Sequence, residues 1–343
     1  MKTVVLGRSG LAATKPSLGC LPLQRSSEEE AVAILRRAYE GGIRFFDTAN
    51  GYTNSEHRIG LALHDVRDHV ILATKSHGRD RATVLAHIEN SLRELRTDHI
   101  DLFQLHQIPA LPDFEDPDSP YAGAMEAKRR GWVLHVGASA HKLGVAREAV
   151  LSGRFETMQY PFSYLASEEE KGLVALCKQE NVGFIAMKGL AGGLLTDARA
   201  CHAFMKGFDN VVPIWGVQRL AEMDQWLAVA AEDPDLDDTL SEIIRKDRAE
   251  LAGGFCRGCG YCAPCPEGIE INNAARMNML LRRSPWQNLV TDREYEKMQR
   301  IRSCRECYEC ASRCPYNLDI PNILKYMLAD YEQFYAEHVG EKK

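Results

Sequence analysis

Eight of the eleven cysteines in this chain of 343 residues fall in two short runs, Cys256-x2-Cys259-x2-Cys262-x2-Cys265-Pro266 and Cys304-x2-Cys307-x2-Cys310-x3-Cys314-Pro315. Thiols clustered this densely in a chain without an export signal point to metal before disulfides. A second set lies in the first third of the chain: Asp47, Tyr52, Lys75 and His106. A tyrosine hydroxyl, with an ordinary pKa of ~10, is too weak an acid unless a cation lies alongside. Lys75 supplies that cation, Asp47 holds it charged and oriented, and His106 donates a hydrogen bond to a reacting oxygen. Such a set suits the protonation of a carbonyl oxygen while hydride arrives at its carbon, with Tyr52 as proton donor.

These residues need a scaffold that brings distant segments together. From about residue 16 to 216 the sequence predicts eight short strands separated by helices: Pro16 to Cys20, Arg44 to Thr48, Val70 to Lys75, Asp101 to His106, Leu134 to Ala138, Thr157 to Tyr160, Gly183 to Met187 and Val211 to Trp215. Apolar runs alternating with helix-length segments indicate βα units and parallel pairing, and eight of them predict a (β/α)8 TIM barrel of the α/β class. Asp47, Lys75 and His106 then fall at strand ends on the C-terminal face, with Tyr52 in the loop after the second strand.

Local signals agree with this reading. Ser27-Glu28-Glu29-Glu30 has the form of a capping box, Ala31, Ile34, Leu35 and Ala38 recur at helical spacing, and Gly41-Gly42 supplies a stop. Thr3 to Ala13 reads as a hairpin closing the barrel floor. The acidic, proline-containing run 232–238 reads as a linker, which divides the chain into a barrel (1–231) and a helical cysteine-bearing domain (239–343). The segment Pro109 to Pro120, with Asp113, Glu115, Asp116 and Asp118, reads as a solvated loop, with a substrate-binding lid as the alternative.

Composition narrows the function classes. A formal charge of −6 argues against nucleic acid as the main partner, since phosphates need a basic face. No run reaches the ~18 apolar residues of a membrane span, and the N-terminus is interrupted by Gly7 and Arg8 before an export signal could form. The cytoplasm is therefore the expected location, with no membrane partner. Cys20, Cys177 and Cys201, outside the clusters, sit among apolar residues and read as buried core thiols.

The cysteine runs resemble the ferredoxin pattern of three closely spaced thiolates and a remote fourth followed by proline. That resemblance implies two 4Fe-4S clusters with crossed fourth ligands: Cys256, Cys259, Cys262 and Cys314 on one, and Cys304, Cys307, Cys310 and Cys265 on the other. The first run departs from it, with two residues rather than three before Cys265. Zinc also takes four thiolates, but zinc ribbons present paired C-x2-C knuckles across a long spacer rather than three consecutive steps.

The segments Phe46-Asp47-Thr48-Ala49-Asn50-Gly51-Tyr52, Ala73-Thr74-Lys75-Ser76 and Asp101-Leu102-Phe103-Gln104-Leu105-His106 resemble an aldo-keto reductase. With the cysteine domain added, the whole chain is similar to the subgroup of that family with a C-terminal ferredoxin-like domain, common in anaerobic bacteria. The resemblance implies an oxidoreductase acting on CH-OH or C=O with NADP or NAD. It also places Ser139 and Gln159 on the nicotinamide carboxamide, Met187 near the ring, the pyrophosphate near Lys188, Gly189, Leu190 and Gly192, and the adenosine end near Gly216 and Asp224. Where NADPH-using relatives carry a Lys and an Arg for the 2′-phosphate, this chain has Ile214 and Leu220, with Arg219 the nearby cation. A dianionic phosphate would be poorly neutralised, which points to NADH or to weak cofactor binding and leaves the choice between NADH and NADPH open.

A hydride carries two electrons and a 4Fe-4S cluster passes one, and no flavin site is recognisable to convert between them. Two enzymatic readings follow. One is a carbonyl or alcohol oxidoreductase with structural clusters and a small-molecule substrate. The other is an electron-transfer oxidoreductase whose clusters exchange single electrons with a redox partner protein or a bound substrate. A third, in which the barrel senses nucleotide without turnover, is non-enzymatic.

Overall fold

The computed structural model describes residues 1–251, 255–283 and 286–339. Its strands are β1 (Lys2–Val5), β2 (Ala12–Lys15), β3 (Ser17–Gly19), β4 (Phe45–Asp47), β5 (Ile71–Ser76), β6 (Ile100–Leu105), β7 (Val133–Ser139), β8 (Thr157–Pro161), β9 (Gly183–Met187) and β10 (Val211–Gly216). The eight from β3 onward close into a barrel in the order β10-β3-β4-β5-β6-β7-β8-β9. Every neighbouring pair in it is parallel. Each expected strand lies within one residue of the observed one.

The helices of this part are α1 (Glu28–Glu40), α2 (Ser55–Leu63), α3 (Arg81–Leu95), α4 (Pro120–Arg129), α5 (Leu143–Leu151), α6 (Glu168–Gln179), α7 (Ala198–Lys206) and α8 (Leu220–Glu232). In α1 the Ser27 side chain accepts from the Glu30 N–H and the chain turns away at Gly41 and Gly42, the latter at φ +95. The reciprocal capping box forms at α6, between Ser167 and Glu170.

β1 and β2 pair antiparallel, and Val4, Leu6 and Ala13 from this hairpin join Phe45, Ala73, Leu102, Ile185, Val212 and Ile214 in one apolar cluster. The hairpin thus packs against the barrel's own inward-facing residues, as expected. Its turn presses on the start of β9: Gly7, at φ +52, has no room for a side chain, because a Cβ there would stand 2.5 Å from both the Asn181 oxygen and the Gly183 nitrogen. Strand side chains alternate, so a step of two residues from Phe45, Ala73 and Leu102 brings Asp47, Lys75 and Gln104 to the next inward-facing layer.

The chain divides into two compact units, Met1–Gly189 with Ala198–Ser241, and Leu190–Asp197 with Glu242–Lys343. Residues 232–238, expected as a linker, run from the last residue of α8 to the first of α9 (Asp238–Glu250). Beyond it follow α10 (Ile271–Ala274), α11 (Met277–Arg283), α12 (Asp292–Gln299), α13 (Glu309–Ser312) and α14 (Ile320–His338). Among the described residues no strand occurs after β10. On α14, Ile320, Leu324, Met327, Leu328 and Tyr331 recur at helical spacing and enter a core with Met277, Leu281, Val290, Met298 and Ile301. Tyr331 spends its hydroxyl on the Leu289 carbonyl at 2.7 Å. No helix among the described residues is long and apolar enough to cross a membrane.

Candidate active site and cluster ligands

Asp47 ends β4 and Lys75 stands near the end of β5. Lys75 Nζ donates to Asp47 Oδ2 at 2.7 Å and to the Thr48 carbonyl at 2.5 Å. The two side chains are 1% and 3% exposed, so the pair is an ion pair shut away from water. Two amides steady the carboxylate: Gln104 Nε2 reaches Oδ1 at 3.5 Å and Gln159 Nε2 reaches Oδ2 at 3.4 Å, while Gln104 Nε2 also donates to Gln159 Oε1 at 2.7 Å. Burial pushes the Asp47 carboxyl up, and the ammonium of Lys75 and these amides work against it.

Tyr52 lies in the loop after β4, where its N–H bonds the Ala49 carbonyl at 2.9 Å and the Lys75 Nζ stands 5.4 Å from its ring centroid. Lys75 is expected to make this phenol more acidic, and burial acts against it. Burial pushes the hydroxyl up, and the charges of Asp47 and Cys20 push the same way. The ammonium is already committed to Asp47, so desolvation dominates. Tyr52 is thus held protonated at neutral pH, able to give its proton only when negative charge develops opposite it.

His106 follows β6 directly. Its ring meets the Tyr52 ring edge-on at 5.7 Å and lies parallel to the His77 ring at 3.9 Å, with 18° between planes. Burial pushes its pKa well below the ordinary histidine value, and the charges of Lys75 and His77 add to this. The imidazole is therefore neutral, and its Nδ1 has no hydrogen-bond partner among the described residues. Sequence reasoning missed Gln104 and His77. Gln104 was findable, because it shares the inward face of β6 with Leu102 and His106; His77 sits in a loop, where periodicity gives no signal.

The residues expected around a nicotinamide cofactor fare unevenly. Ser139 and Gln159 are register neighbours on β7 and β8, both buried. Ser139 Oγ accepts from the Gln107 N–H at 2.9 Å, which leaves its hydroxyl proton for a carboxamide oxygen. Met187 ends β9 and packs on the barrel cluster. The glycines have local reasons to be glycine: a Cβ at Gly189 would strike the Trp215 ring, and one at Gly216 would lie 2.8 Å from Pro22 Cγ. Lys188, at φ +56, and Gly189 close the first unit's segment, whereas Leu190 and Gly192 belong to the second. There Arg276 Nη1 donates to the Gly192 carbonyl at 3.2 Å and fills the space a side chain would take.

Asp224, exposed on α8, accepts from Arg37 Nε at 2.7 Å. Arg219 is engaged with Glu222 at 2.8 Å, and Ile214 is buried. An adenosine 2′-phosphate here would compete with Glu222 for Arg219.

In the second unit, Cys265, Cys304, Cys307 and Cys310 line one cavity, walled by Ile269, Ile271 and Leu324. Four thiols around such a space fit a 4Fe-4S cubane. The Cys256 thiol is pushed up chiefly by burial, with Cys259 and Cys314 among the charges acting on it, and Gly258 N–H donates to its sulfur at 3.4 Å. Cys307 is exposed. Cys20, Cys177 and Cys201 are buried as expected, and burial pushes Cys177 up to about 12.

Residues 5–243 match the family model described as the aldo/keto reductase family. The chain belongs to that family. Residues 255–319 match the 4Fe-4S dicluster domain, so the protein is an aldo/keto reductase-family oxidoreductase with a C-terminal iron-sulfur domain. It is 29% identical over 291 residues to the uncharacterized oxidoreductase YqkF of Bacillus subtilis, covering 81% of this chain and 93% of that protein. It is 30% identical to the aldo-keto reductase AFTS1 of Alternaria alternata over 55% of this chain, spanning 65% of that protein's length. Among solved structures, the holo form of aldo-keto reductase AKR11C1 from Bacillus halodurans superimposes with a TM-score of 0.63 at 23% identity, over 72% of this chain and 96% of that one. An aldo/keto reductase from Klebsiella pneumoniae in complex with NADP and acetate gives 0.59 at 22% identity, over 72% and 95%. At these identities the structures speak for the fold.

Proposed function

We propose that the barrel interconverts a carbonyl and an alcohol with NADH or NADPH, using Tyr52 as proton donor, and that the C-terminal domain holds two 4Fe-4S clusters. The observation that carries the reading is the buried Lys75–Asp47 pair with Tyr52 and His106 beside it. In reduction the carbonyl oxygen lies between the Tyr52 hydroxyl and the His106 imidazole. The neutral His106 donates a hydrogen bond and fixes the oxygen's direction. As charge grows on that oxygen, the Tyr52 proton moves to it, and the Lys75 ammonium stabilises the phenolate left behind. Asp47, held by Gln104 and Gln159, keeps the Lys75 side chain in place. Ser139 and Gln159 would hold the carboxamide of a nicotinamide, which supplies hydride when bound. With Ile214 buried and Arg219 paired to Glu222, NADH is the favoured nucleotide.

For the clusters we assign Cys265, Cys304, Cys307 and Cys310 to one site, on the cavity they share, and Cys256, Cys259, Cys262 and Cys314 to the other. A second reading, single-electron exchange between the clusters and a redox partner or bound substrate, draws support from the exposed Cys307, which would leave one cluster edge open to solvent. The deciding experiment is anaerobic purification with iron and sulfide analysis, followed by NADH and NADPH oxidation against an aldehyde panel. Under the carbonyl reading Tyr52→Phe loses at least about 100-fold in kcat while nucleotide affinity holds. Full turnover by Tyr52→Phe would end it, and dithionite-reducible clusters in a protein without carbonyl turnover would favour the second reading.

A further inference from the structure

The loop leaving β5 carries two side chains that the chemistry above leaves unused, His77 and Arg79, both exposed. The loop itself is anchored: Gly78 N–H donates to Ser76 Oγ at 2.9 Å, and that oxygen bonds His87 Nδ1 at 2.6 Å. His77 therefore projects from a fixed turn and lays its ring on His106 at 3.9 Å. Its Cδ2 is 3.5 Å from where a side chain at Gly51 would begin, so it also borders the loop of Tyr52.

Arg79 is placed unlike its neighbours. Arg81 is tied to Glu126 at 2.6 Å, and Asp80 caps α3 by accepting from the Thr83 N–H at 2.8 Å. Arg79 has no hydrogen bond or ion pair among the described residues, and its charge is felt at both His77 and His106. Asp47, the carboxylate of the tetrad, is already spent on Lys75. The loop that lays His77 on His106 thus also carries, two residues on, a guanidinium without a partner among the described residues whose planar fork suits a carboxylate, while the His77 ring itself is bonded to the His106 backbone.

We propose that Arg79, on the loop that His77 stacks against His106, is an anion subsite, and that the substrate is a short oxo acid whose carboxylate is taken by the Arg79 guanidinium while its carbonyl oxygen lies at Tyr52 and His106. The word substrate rests on the carbonyl-oxidoreductase reading above; the subsite rests on the loop. Arg79 is two residues from the ring stacked on His106, a span of at most about 7 Å of backbone, which keeps the carboxylate a few bonds from the carbonyl. The bland alternative is an arginine that is merely solvated, which contributes nothing to binding.

The test compares oxo acids from glyoxylate to succinic semialdehyde, each against its methyl ester, in the wild-type holoprotein and in Arg79→Met and Arg79→Lys. The expected result is an acid-to-ester ratio of kcat/KM of about tenfold in the wild type for at least one chain length, expressed in KM, which is the size of one charge-assisted hydrogen bond. The ratio should fall to near one in Arg79→Met and lie between in Arg79→Lys. A wild-type ratio near one throughout the series, or a ratio that Arg79→Met leaves unchanged, overturns the proposal. A protein that turns over neither acid nor ester fails the carbonyl reading instead, and the subsite is then decided by binding. Succinate should raise the Tm of the wild type and not of Arg79→Met; an equal rise in both, or none in either, overturns it.

Discussion

Replacing Lys75 by methionine removes one charge from a pair whose side chains are 1% and 3% exposed and whose N–O distance is 2.7 Å. At an effective dielectric of about 20 that separation corresponds to roughly 6 kcal/mol of attraction, much of it offset by desolvation of the two ions. The cost of the substitution is set by what Asp47 does next. Without a cation beside it the carboxyl takes up a proton, and keeping an acid of ordinary pKa ~3.9 protonated at pH 7 costs about 4 kcal/mol, at about 1.4 kcal/mol per unit. The folded-state pKa, which burial already pushes upward, then lies above the unfolded one. The unfolded chain releases the proton that the folded chain keeps, so the penalty grows as pH rises. Lys75→Met is expected to lose about 3–4 kcal/mol at pH 7 and about 1.5 kcal/mol at pH 5. Adding Asp47→Asn should restore about 2 kcal/mol at pH 7, because an amide needs no counterion, while carbonyl turnover stays lost. Anaerobic urea unfolding followed by tryptophan fluorescence measures all three chains. A penalty that does not change between pH 5 and 7, or a double variant no more stable than Lys75→Met, would refute a buried, mutually dependent pair.

The cluster assignment predicts a pattern of non-additivity. Cys265→Ala with Cys304→Ala should lose the iron of one cluster, and Cys304→Ala with Cys314→Ala the iron of both, read as iron per chain and as EPR after dithionite; the reverse pattern would give each cysteine run its own cluster. Burial keeps the folded-state pKa of His106 well below its ordinary value of 6.5. The unfolded chain therefore binds a proton that the folded chain refuses, and stability falls below about pH 6.5 by up to about 1.4 kcal/mol per unit from this group. His106→Asn should flatten the decline by that slope between pH 6.5 and 5, and an unchanged slope would contradict the depressed pKa.

The barrel was legible because its strands are short apolar runs separated by helices with ordinary caps and stops, a pattern that tertiary packing had no reason to override. Ser27 and Gly41 bound α1 where the sequence put its ends. The four tetrad residues were legible one by one, as polar groups at strand ends. Their electrostatics were not. That burial outweighs Lys75 in setting the Tyr52 hydroxyl was not visible, because a charge counts only after its own partner and the surrounding solvent are known, and both are properties of the packed interior. The glycines of the expected phosphate segment also have packing reasons that sequence does not show: a Cβ at Gly189 would meet Trp215 and one at Gly192 would meet Arg276, and neither neighbour is near in sequence.

The sequence alone determined what depends on local spacing and residue chemistry: eight βα repeats, two runs of cysteines at cluster spacing, and an acid, a cation, a carboxylate and an imidazole fit for carbonyl chemistry. Tertiary structure decided everything that depends on who stands next to whom. It joined Cys265 to Cys304, Cys307 and Cys310 around one cavity, tied Asp47 to Gln104 and Gln159, and laid His77 against His106. Spacing along a chain limits which side chains can meet within one element, but desolvation, ion pairing and ring stacking act across elements, where only closure of the barrel and packing of the helical core set the distances.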